Sequence, residues 1–214
     1  MNTFFYDFVK ITALPYYLIL RPKYFYENEN ARKKIRGGVL IISNHSGFQD
    51  PIYLLTAIYW RRLRFVCTKE ILGNRLNRWL FSHFLCIPID RENFSYNSFR
   101  EIVKGLKDGN ACVIFPQGKI IKNDKKLLAK AENLDDNLSG GLKEGMLLMS
   151  MSSGAPVMPV LTNKERGFFK RLRVCVGEPI NVKELLGNNP TKQKIDETAA
   201  VIEKKFKLLN DIIN

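Results

Sequence analysis

The sequence contains few of the residues that build metal sites and disulfide frameworks. Its 214 residues include only two histidines, which lie far apart, and four cysteines, no two of which have the spacing of a zinc or redox motif. We therefore expect no metal site. Each cysteine falls inside a separate apolar run, which predicts buried, reduced thiols and a cytosolic compartment. The four are Cys67, Cys86, Cys112 and Cys175.

The chain also lacks an uninterrupted apolar run of the length that an ordinary membrane span needs, about 20 residues. Its most apolar stretch, residues 4–20, is slightly shorter, contains Asp7 and Lys10, and is interrupted at Pro15. It has neither a basic start nor a small-residue cleavage site, so we identify no signal peptide. Its aromatic residues, and the basic residues that follow, favour a helix lying in the membrane interface at the cytoplasmic face. A helix packed on the domain and a true single span are the alternatives.

Acidic residues are outnumbered by basic ones. The chain has 21 Asp and Glu against 34 Lys and Arg, a net charge of +13. Nucleic acid, an anionic membrane surface and a phosphorylated substrate all suit this charge. Nucleic acid is the least favoured partner, because the charges are scattered and the aromatic residues cluster near the N-terminus instead of forming a stacking surface. The sequence contains no repeat and no linker to a second domain, so we predict an N-terminal segment of residues 1–36 and one domain of residues 37–214.

Short apolar runs alternate with longer amphipathic segments along most of the chain. This alternation predicts an α/β fold with a largely parallel central sheet covered by helices, preceded by the N-terminal interfacial helical segment. The predicted strands are residues 39–42, 63–67, 86–89, 111–115, 155–161 and 171–177. The predicted helices are residues 51–60, 74–85, 95–107, 138–152 and 191–213.

The most informative functional pattern is His45 followed five residues later by Asp50. His45 comes directly after a predicted strand. Asp50 begins the next helix, because aspartate is a good N-cap and Pro51 suits the first helical position. A compact turn would bring the carboxylate to one imidazole nitrogen and leave the other to accept a proton from a substrate hydroxyl. A loop histidine beside a helix cap is the alternative.

Other polar residues follow the ends of further predicted strands. Because parallel strands end at one edge of a sheet, and open α/β sheets bind ligands at that edge, we expect these residues near His45 and Asp50. They are Asp90, Arg91, Gln117 and Lys119. A histidine base, a carboxylate and cationic groups together predict a site for a phosphorylated substrate that carries a hydroxyl group.

Four sequence blocks, in their order and spacing, resemble those of the glycerolipid acyltransferase superfamily. The blocks are Asn44-His45 with Asp50, then Ile89-Asp90-Arg91, then Phe115-Pro116-Gln117-Gly118, then Ala155-Pro156-Val157-Met158-Pro159-Val160. Gly177-Glu178-Pro179-Ile180 is also similar to that family. The branch that looks most similar is the bacterial 1-acyl-sn-glycerol-3-phosphate acyltransferases, and the likeness extends from about residue 39 to residue 180.

This resemblance implies transfer of a fatty acyl group, from acyl-CoA or acyl-carrier protein, to a lysophospholipid hydroxyl at a membrane surface. The implied acceptor is 1-acylglycerol-3-phosphate, which would give phosphatidic acid. By similarity His45 would be the general base and Asp50 would orient it. Arg91 would bind the acceptor's phosphate, and the turn containing Gln117, Gly118 and Lys119 would complete that pocket. No cofactor beyond the donor's own thioester carrier is implied.

The third block departs from the family pattern, which usually reads Phe-Pro-Glu-Gly-Thr-Arg. Gln117 stands in place of the glutamate, Lys119 in place of the threonine and Ile120 in place of the arginine. The change removes a guanidinium that would bind phosphate through two hydrogen bonds, and Lys119 supplies a point charge instead. A different lipid acceptor, and a catalytically silent lipid-binding protein on the same scaffold, are therefore alternatives.

Overall fold

The computed structural model describes residues 4–12, 22–45, 50–89, 96–116, 140–162, 172–187 and 189–214. Its strands are β1 (Lys23–Tyr26), β2 (Val39–Ser43), β3 (Leu63–Thr68), β4 (Ile87–Ile89), β5 (Ala111–Ile114), β6 (Val157–Thr162) and β7 (Arg173–Val176). Its helices are α1 (Phe4–Thr12), α2 (Glu29–Arg32), α3 (Asp50–Ala57), α4 (Arg75–His83), α5 (Tyr96–Lys107), α6 (Gly140–Ser153), α7 (Val182–Leu186) and α8 (Lys192–Ile213). A short 3-10 helix covers Lys69–Leu72.

The seven strands form one sheet in the order β1-β7-β6-β2-β5-β3-β4. Strands β2 to β6 run parallel to one another, β7 pairs antiparallel with β6, and β1 pairs parallel with β7. The prediction of a largely parallel sheet covered by helices is therefore confirmed. The carboxyl ends of the five parallel strands share one edge of the sheet, here called the carboxyl edge.

The two faces of the sheet are covered differently. One face, here called the helix-packed face, carries Leu40 and Ile42 and forms its core with α5, α6, α7 and α8. The other, here called the α3 face, carries Val39 and Ile41 and forms its core mainly with α3. Every residue of β2 is buried, because a central parallel strand is covered on both sides. This is why the central strands appear in the sequence as continuous apolar runs.

The structure has one strand more than the six predicted from the sequence, and it lies at residues 23–26, within the predicted N-terminal segment. Lys23–Tyr26 forms the edge strand β1 beside β7. An edge strand is only half-buried, so its composition is not the continuous apolar run of a central strand. Its three aromatic residues also resemble those of a membrane interface. Residues 1–36 therefore supply a strand to the sheet as well as the helix α1.

Helix α1 packs on the domain through one of its faces. The Tyr6 hydroxyl accepts a hydrogen bond from the Leu63 amide at 2.8 Å, and the Tyr6 ring meets the Phe84 ring with centroids 6.1 Å apart. Burial raises the pKa of Tyr6 to about 12. Arg62 donates two hydrogen bonds to the Asp7 carboxylate, at 3.1 and 2.6 Å. Tyr6 and Asp7 thus fasten α1 to the start of β3.

The opposite face of α1 exposes Phe4, Phe8 and Ile11. These positions are four and three residues apart, so they form one apolar stripe on the helix. Among the described residues, no helix combines the length and the apolar character that crossing a bilayer requires. The placement of residues 4–20 in a membrane interface stays a prediction.

The Gly177 to Ile180 motif connects the segment after β7 to the segment after β1. A side chain at Gly177 would place its Cβ 2.7 Å from Cγ of Pro159, so the backbone there can approach β6 only without one. Glu178 accepts hydrogen bonds from the side-chain amides of Asn28 and Asn30, both at 2.8 Å, and these lower its pKa. The motif therefore fixes the loop after β1 against the end of β7.

Candidate active site

His45 and Asp50 meet at the carboxyl edge of the sheet. His45 lies two residues beyond β2, and Asp50 is the first residue of α3. The imidazole Nδ1 lies 2.8 Å from a carboxylate oxygen of Asp50. The Asp50 side chain is 0% exposed and that of His45 is 17% exposed. The contact expected from the sequence is present, while the catalytic roles of the two residues stay predictions.

This pairing gives the imidazole a defined orientation. Asp50 holds Nδ1, so proton transfer with a substrate would use Nε2, the ring atom on the other side. Asp50 also lies in the first turn of α3, where the positive end of the helix dipole stabilises a negative carboxylate. A buried carboxylate paired with a partly exposed histidine is suited to removing a proton from a hydroxyl group.

Phe115 supports the His45 ring from one side. The two rings stack with centroids 4.4 Å apart and an angle of 23° between their planes. Phe115 follows β5, the strand that pairs with β2, and Phe65 of β3 stacks behind it at 6.4 Å. Two aromatic side chains from neighbouring strands therefore restrict the rotation of the imidazole. Phe115 belongs to the third sequence block, but nothing in the sequence predicts its contact with His45.

Asn44 fixes the backbone immediately before His45. Its side-chain amide donates to the Thr162 carbonyl oxygen at 2.9 Å, and its Oδ1 accepts from the Thr162 amide at 2.8 Å. The Thr162 hydroxyl also donates to this Oδ1, at 3.2 Å. Asn44 thereby extends the pairing of β2 with β6 past the last paired residue, Ser43. Asn44 was present in the first block, yet sequence spacing carries no signal for a partner 118 residues away.

The predicted phosphate-binding residues cannot be placed in the same way. Arg91, Gln117, Gly118 and Lys119 lie outside the described residues, so their grouping with His45 stays a prediction. The strands that precede them, β4 and β5, both end at the carboxyl edge, as does β2.

The second histidine, His83, takes part in contacts within α4. It donates from Nδ1 to the Trp79 carbonyl oxygen at 2.7 Å, and the two rings lie with centroids 4.6 Å apart. Across the part of the chain that the structure describes, no group of three or more His, Cys, Asp or Glu residues is arranged to hold a metal ion.

Known proteins with similar sequences were found by comparison. A family model described as Acyltransferase matches residues 23–163. The 1-acyl-sn-glycerol-3-phosphate acyltransferase of Bacillus subtilis (strain 168) is 24% identical over 179 residues, which cover 81% of this chain and 82% of that protein. The enzyme of the same name from Streptococcus pneumoniae (strain ATCC BAA-255 / R6) is 25% identical over 178 residues, covering 80% of this chain and 60% of that protein.

A solved structure has a similar fold. The crystal structure of the 1-acyl-sn-glycerophosphate (LPA) acyltransferase PlsC from Thermotoga maritima superposes with a TM-score of 0.57. The match covers 94% of this chain and 79% of that chain, at 16% sequence identity. At this level of identity the likeness shows the fold.

Proposed function

Because the chain belongs to the acyltransferase family, we propose that it transfers a fatty acyl group from a thioester donor to the hydroxyl group of a lysophospholipid. The family match spans both His45 and Asp50. Two similar proteins are named 1-acyl-sn-glycerol-3-phosphate acyltransferases, so we propose this lysophospholipid as the acceptor and phosphatidic acid as the product. The observation that carries the proposal is the 2.8 Å contact between His45 and the buried Asp50.

The proposed chemistry is a direct transfer. Nε2 of His45 takes the proton of the acceptor hydroxyl as its oxygen attacks the carbonyl carbon of the thioester. Asp50 stabilises the imidazolium that forms, as the carboxylate of a serine protease triad does. The tetrahedral intermediate then expels the thiolate, which takes the proton from His45. The new bond is an oxygen ester, the broken bond is the carbon–sulfur bond, and no acyl group is attached to the protein.

Asn44 and Phe115 have positioning roles in this proposal. Asn44 holds the backbone of the residue before His45 through Thr162, and Phe115 limits the rotation of the imidazole. General-base catalysis requires the base within hydrogen-bond reach of the hydroxyl, so Asn44 and Phe115 raise the rate by fixing the imidazole, without touching the substrate themselves.

The donor and acceptor sites belong to the proposal as well. Acyl-CoA and acyl-carrier protein both present the required thioester. Arg91, Gln117, Gly118 and Lys119 are proposed to bind the acceptor's phosphate, and the net charge of +13 supports an anionic acceptor. Because Gln117 and Lys119 differ from the family pattern, a different lysophospholipid acceptor is the second candidate. We propose that the reaction takes place at the cytoplasmic face of the membrane; the exposed apolar stripe of α1 supports attachment to a membrane surface.

The deciding experiment replaces His45 by asparagine. The amide nitrogen of the introduced side chain would occupy about the position of Nδ1 and keep a hydrogen bond to the buried Asp50, but it cannot act as a base. We expect kcat/KM to fall about 10²- to 10⁴-fold while the free energy of unfolding falls by only about 1 kcal/mol. Turnover is measured with labelled acyl-CoA and acyl-carrier protein on a panel of short-chain lysophospholipids that includes lysophosphatidate.

The matched control is His83→Asn, the same substitution at the only other histidine, which should leave turnover unchanged. Wild-type turnover in His45→Asn would refute the proposed base. If the wild type turns over no acceptor but still binds lipid, the protein is a silent lipid-binding member of the family. Preference for an acceptor other than lysophosphatidate would replace the proposed substrate and leave the chemistry in place.

A further inference from the structure

Helix α4 exposes large apolar side chains beside basic ones. Leu76 is 70% exposed and Trp79 is 50% exposed, although both are among the side chains that normally gain most from burial. Arg75 and Arg78 on the same helix are also exposed, and its sequence, RLNRWLFSH, contains no acidic residue. The helix is therefore both amphipathic and basic, a composition typical of helices that lie in a membrane interface.

The connections of the sheet determine where α4 lies. It joins β3 to β4, and such crossovers between parallel strands are right-handed. Helix α3 joins β2 to β3, in the same direction across the sheet as α4 joins β3 to β4, and it packs on the α3 face. Helix α5 joins β4 to β5, in the opposite direction, and it packs on the helix-packed face. Helix α4 therefore lies on the side of the α3 face, and it starts near the carboxyl edge where His45 is found.

Helix α1 contacts the far end of α4, beside the start of β3 and away from the carboxyl edge. Its Tyr6 contacts both the start of β3 and Phe84, the residue that directly follows α4. Two neighbouring helices thus expose apolar residues to solvent: Phe4, Phe8 and Ile11 on α1, and Leu76 and Trp79 on α4. Leu76 and Trp79 are three residues apart, so they form one exposed apolar patch on α4, and a grouped patch indicates an interaction surface more strongly than single exposed residues do.

We propose that α4 is a docking helix for an anionic membrane surface, with Leu76 and Trp79 entering the boundary between headgroups and acyl chains. Tryptophan prefers this depth because its ring is apolar and its N–H is polar. Arg75 and Arg78 contact the anionic headgroups. A second copy of this chain fits the surface poorly, because pairing two copies would bring four arginines together. The purpose of the surface rests on the proposed function, since docking at a membrane brings the chain to its lipid acceptor; binding itself is independent of turnover.

The first test measures binding of the full chain to vesicles of phosphatidylcholine with phosphatidylglycerol. We expect Leu76→Glu to weaken binding about tenfold or more, because it puts a charge into the apolar boundary. The matched control is Leu208→Glu on α8, which makes the same change at a leucine that is 43% exposed and lies on the helix-packed side. This control should bind like the wild type, apart from the small loss that one unit of net charge causes.

The arginines are tested by a charge-matched pair of variants. Arg75→Gln with Arg78→Gln should weaken binding about fivefold for each arginine, and should remove most of the dependence of binding on ionic strength. Lys204→Gln with Lys207→Gln changes the net charge equally at two exposed positions of α8 and should have a much smaller effect. Equal losses in the two double variants would show that only total charge matters, and would overturn the docking role of α4.

A second measurement does not depend on a substitution in α4. The chain has two tryptophans, Trp60 and Trp79, so Trp60→Phe leaves Trp79 as the single tryptophan, whose emission is excited selectively over that of the tyrosines. On vesicle binding its emission should shift to the blue, and brominated acyl chains should quench it while iodide does not. The proposal would be overturned if iodide still quenched Trp79 in vesicle-bound protein. It would also be overturned if the Leu76→Glu variant bound vesicles as tightly as the wild type.

The remaining outcomes separate this proposal from the proposed function. Leu76→Glu should keep wild-type turnover of a short-chain, water-soluble acceptor, which also shows that it folds. Loss of vesicle binding with that turnover retained supports the docking role alone. If the chain binds an acidic protein such as a carrier protein and does not bind vesicles, α4 docks on a protein and not on a membrane, and the proposal is overturned. Failure of the His45→Asn test with normal vesicle binding would remove the proposed reaction and keep the surface.

Discussion

Leu40 and Ile41 are consecutive residues of β2 and both are fully buried, yet they belong to different cores. Leu40 lies on the helix-packed face, which the four helices α5 to α8 cover. Ile41 lies on the α3 face, where the core is smaller and the strands lead into His45 and Phe115 at the carboxyl edge. The comparison teaches that stability is concentrated on one face, and that the candidate chemistry occupies the border of the other.

The largest expected effect comes from creating a cavity on the helix-packed face. Leu147 of α6 is fully buried there, so Leu147→Ala should lower the free energy of unfolding by about 2–5 kcal/mol, measured by urea denaturation. Turnover per folded molecule should stay close to wild type, because the cavity lies across the sheet from His45. A comparable loss of kcat in the folded fraction would show that the two faces are not separable.

Asn44→Ala should affect both stability and turnover, because Asn44 connects β2 to the candidate site. Removing its side chain breaks the two hydrogen bonds with the buried amide and carbonyl groups of Thr162, at a cost of about 1–3 kcal/mol for the two together. The backbone before His45 is also released, so kcat should fall about tenfold or more with little change in KM.

The control for Asn44 is Thr162→Val, which removes only the hydroxyl donor and keeps both backbone hydrogen bonds. It should have a much smaller effect on kcat than Asn44→Ala has. Equal effects of the two variants would mean that the hydroxyl, and not the backbone pairing, positions His45.

The cysteine thiols allow the two faces of the sheet to be compared without any substitution. Burial raises the pKa of Cys112 and of Cys175 to about 11, so at pH 8 only about one thiol in a thousand is ionised. On the other side of the sheet, a hydrogen bond with Cys86 lowers the pKa of Cys67. Iodoacetamide should therefore alkylate Cys67 at least about 100-fold faster than the two buried thiols, as followed by peptide mass spectrometry.

Labelling of the buried thiols should rise with pH. Thiols with a raised pKa in the folded state become reactive only as the pH approaches 11, so labelling of Cys112 and Cys175 should increase about tenfold per pH unit above pH 8. Labelling of Cys67 should level off at a lower pH. Equal rates for all four cysteines at pH 8 would show that the helix-packed core opens easily, which contradicts the comparison.

Much of the fold could be predicted because its central strands are buried on both faces. Continuous apolar runs identified β2 to β7 to within about two residues at most ends, and the amphipathic pattern of residues 191–213 identified α8. Strand β1 has no such pattern, since Lys23–Tyr26 is an edge strand covered on one side, and the two short helices α2 and α7 are too brief to show a period.

The contacts of the candidate site also fall into two groups: a local contact that the sequence predicted, and distant contacts that it did not. The pairing of His45 with Asp50 is local, spanning five residues, and capping preferences were enough to predict it. The contacts of Asn44 with Thr162 and of His45 with Phe115 join residues distant in sequence, and only the order of strands in the sheet brings them together. Asn44 and Phe115 both belong to the sequence blocks, but the spacing of the blocks does not show which residues they contact.

The pairing of β1 with β7 has a consequence for the synthesis of the chain. Among the described strands β1 leaves the ribosome first and β7 last, and Asn28 must wait for Glu178, which is 150 residues further along. The earliest-made strand therefore stays unpaired until the sheet is almost complete. A nascent chain stalled or cleaved before Arg173 would keep the His45 turn and its neighbouring strands but present β1 as an open edge, a target for quality-control chaperones and proteases.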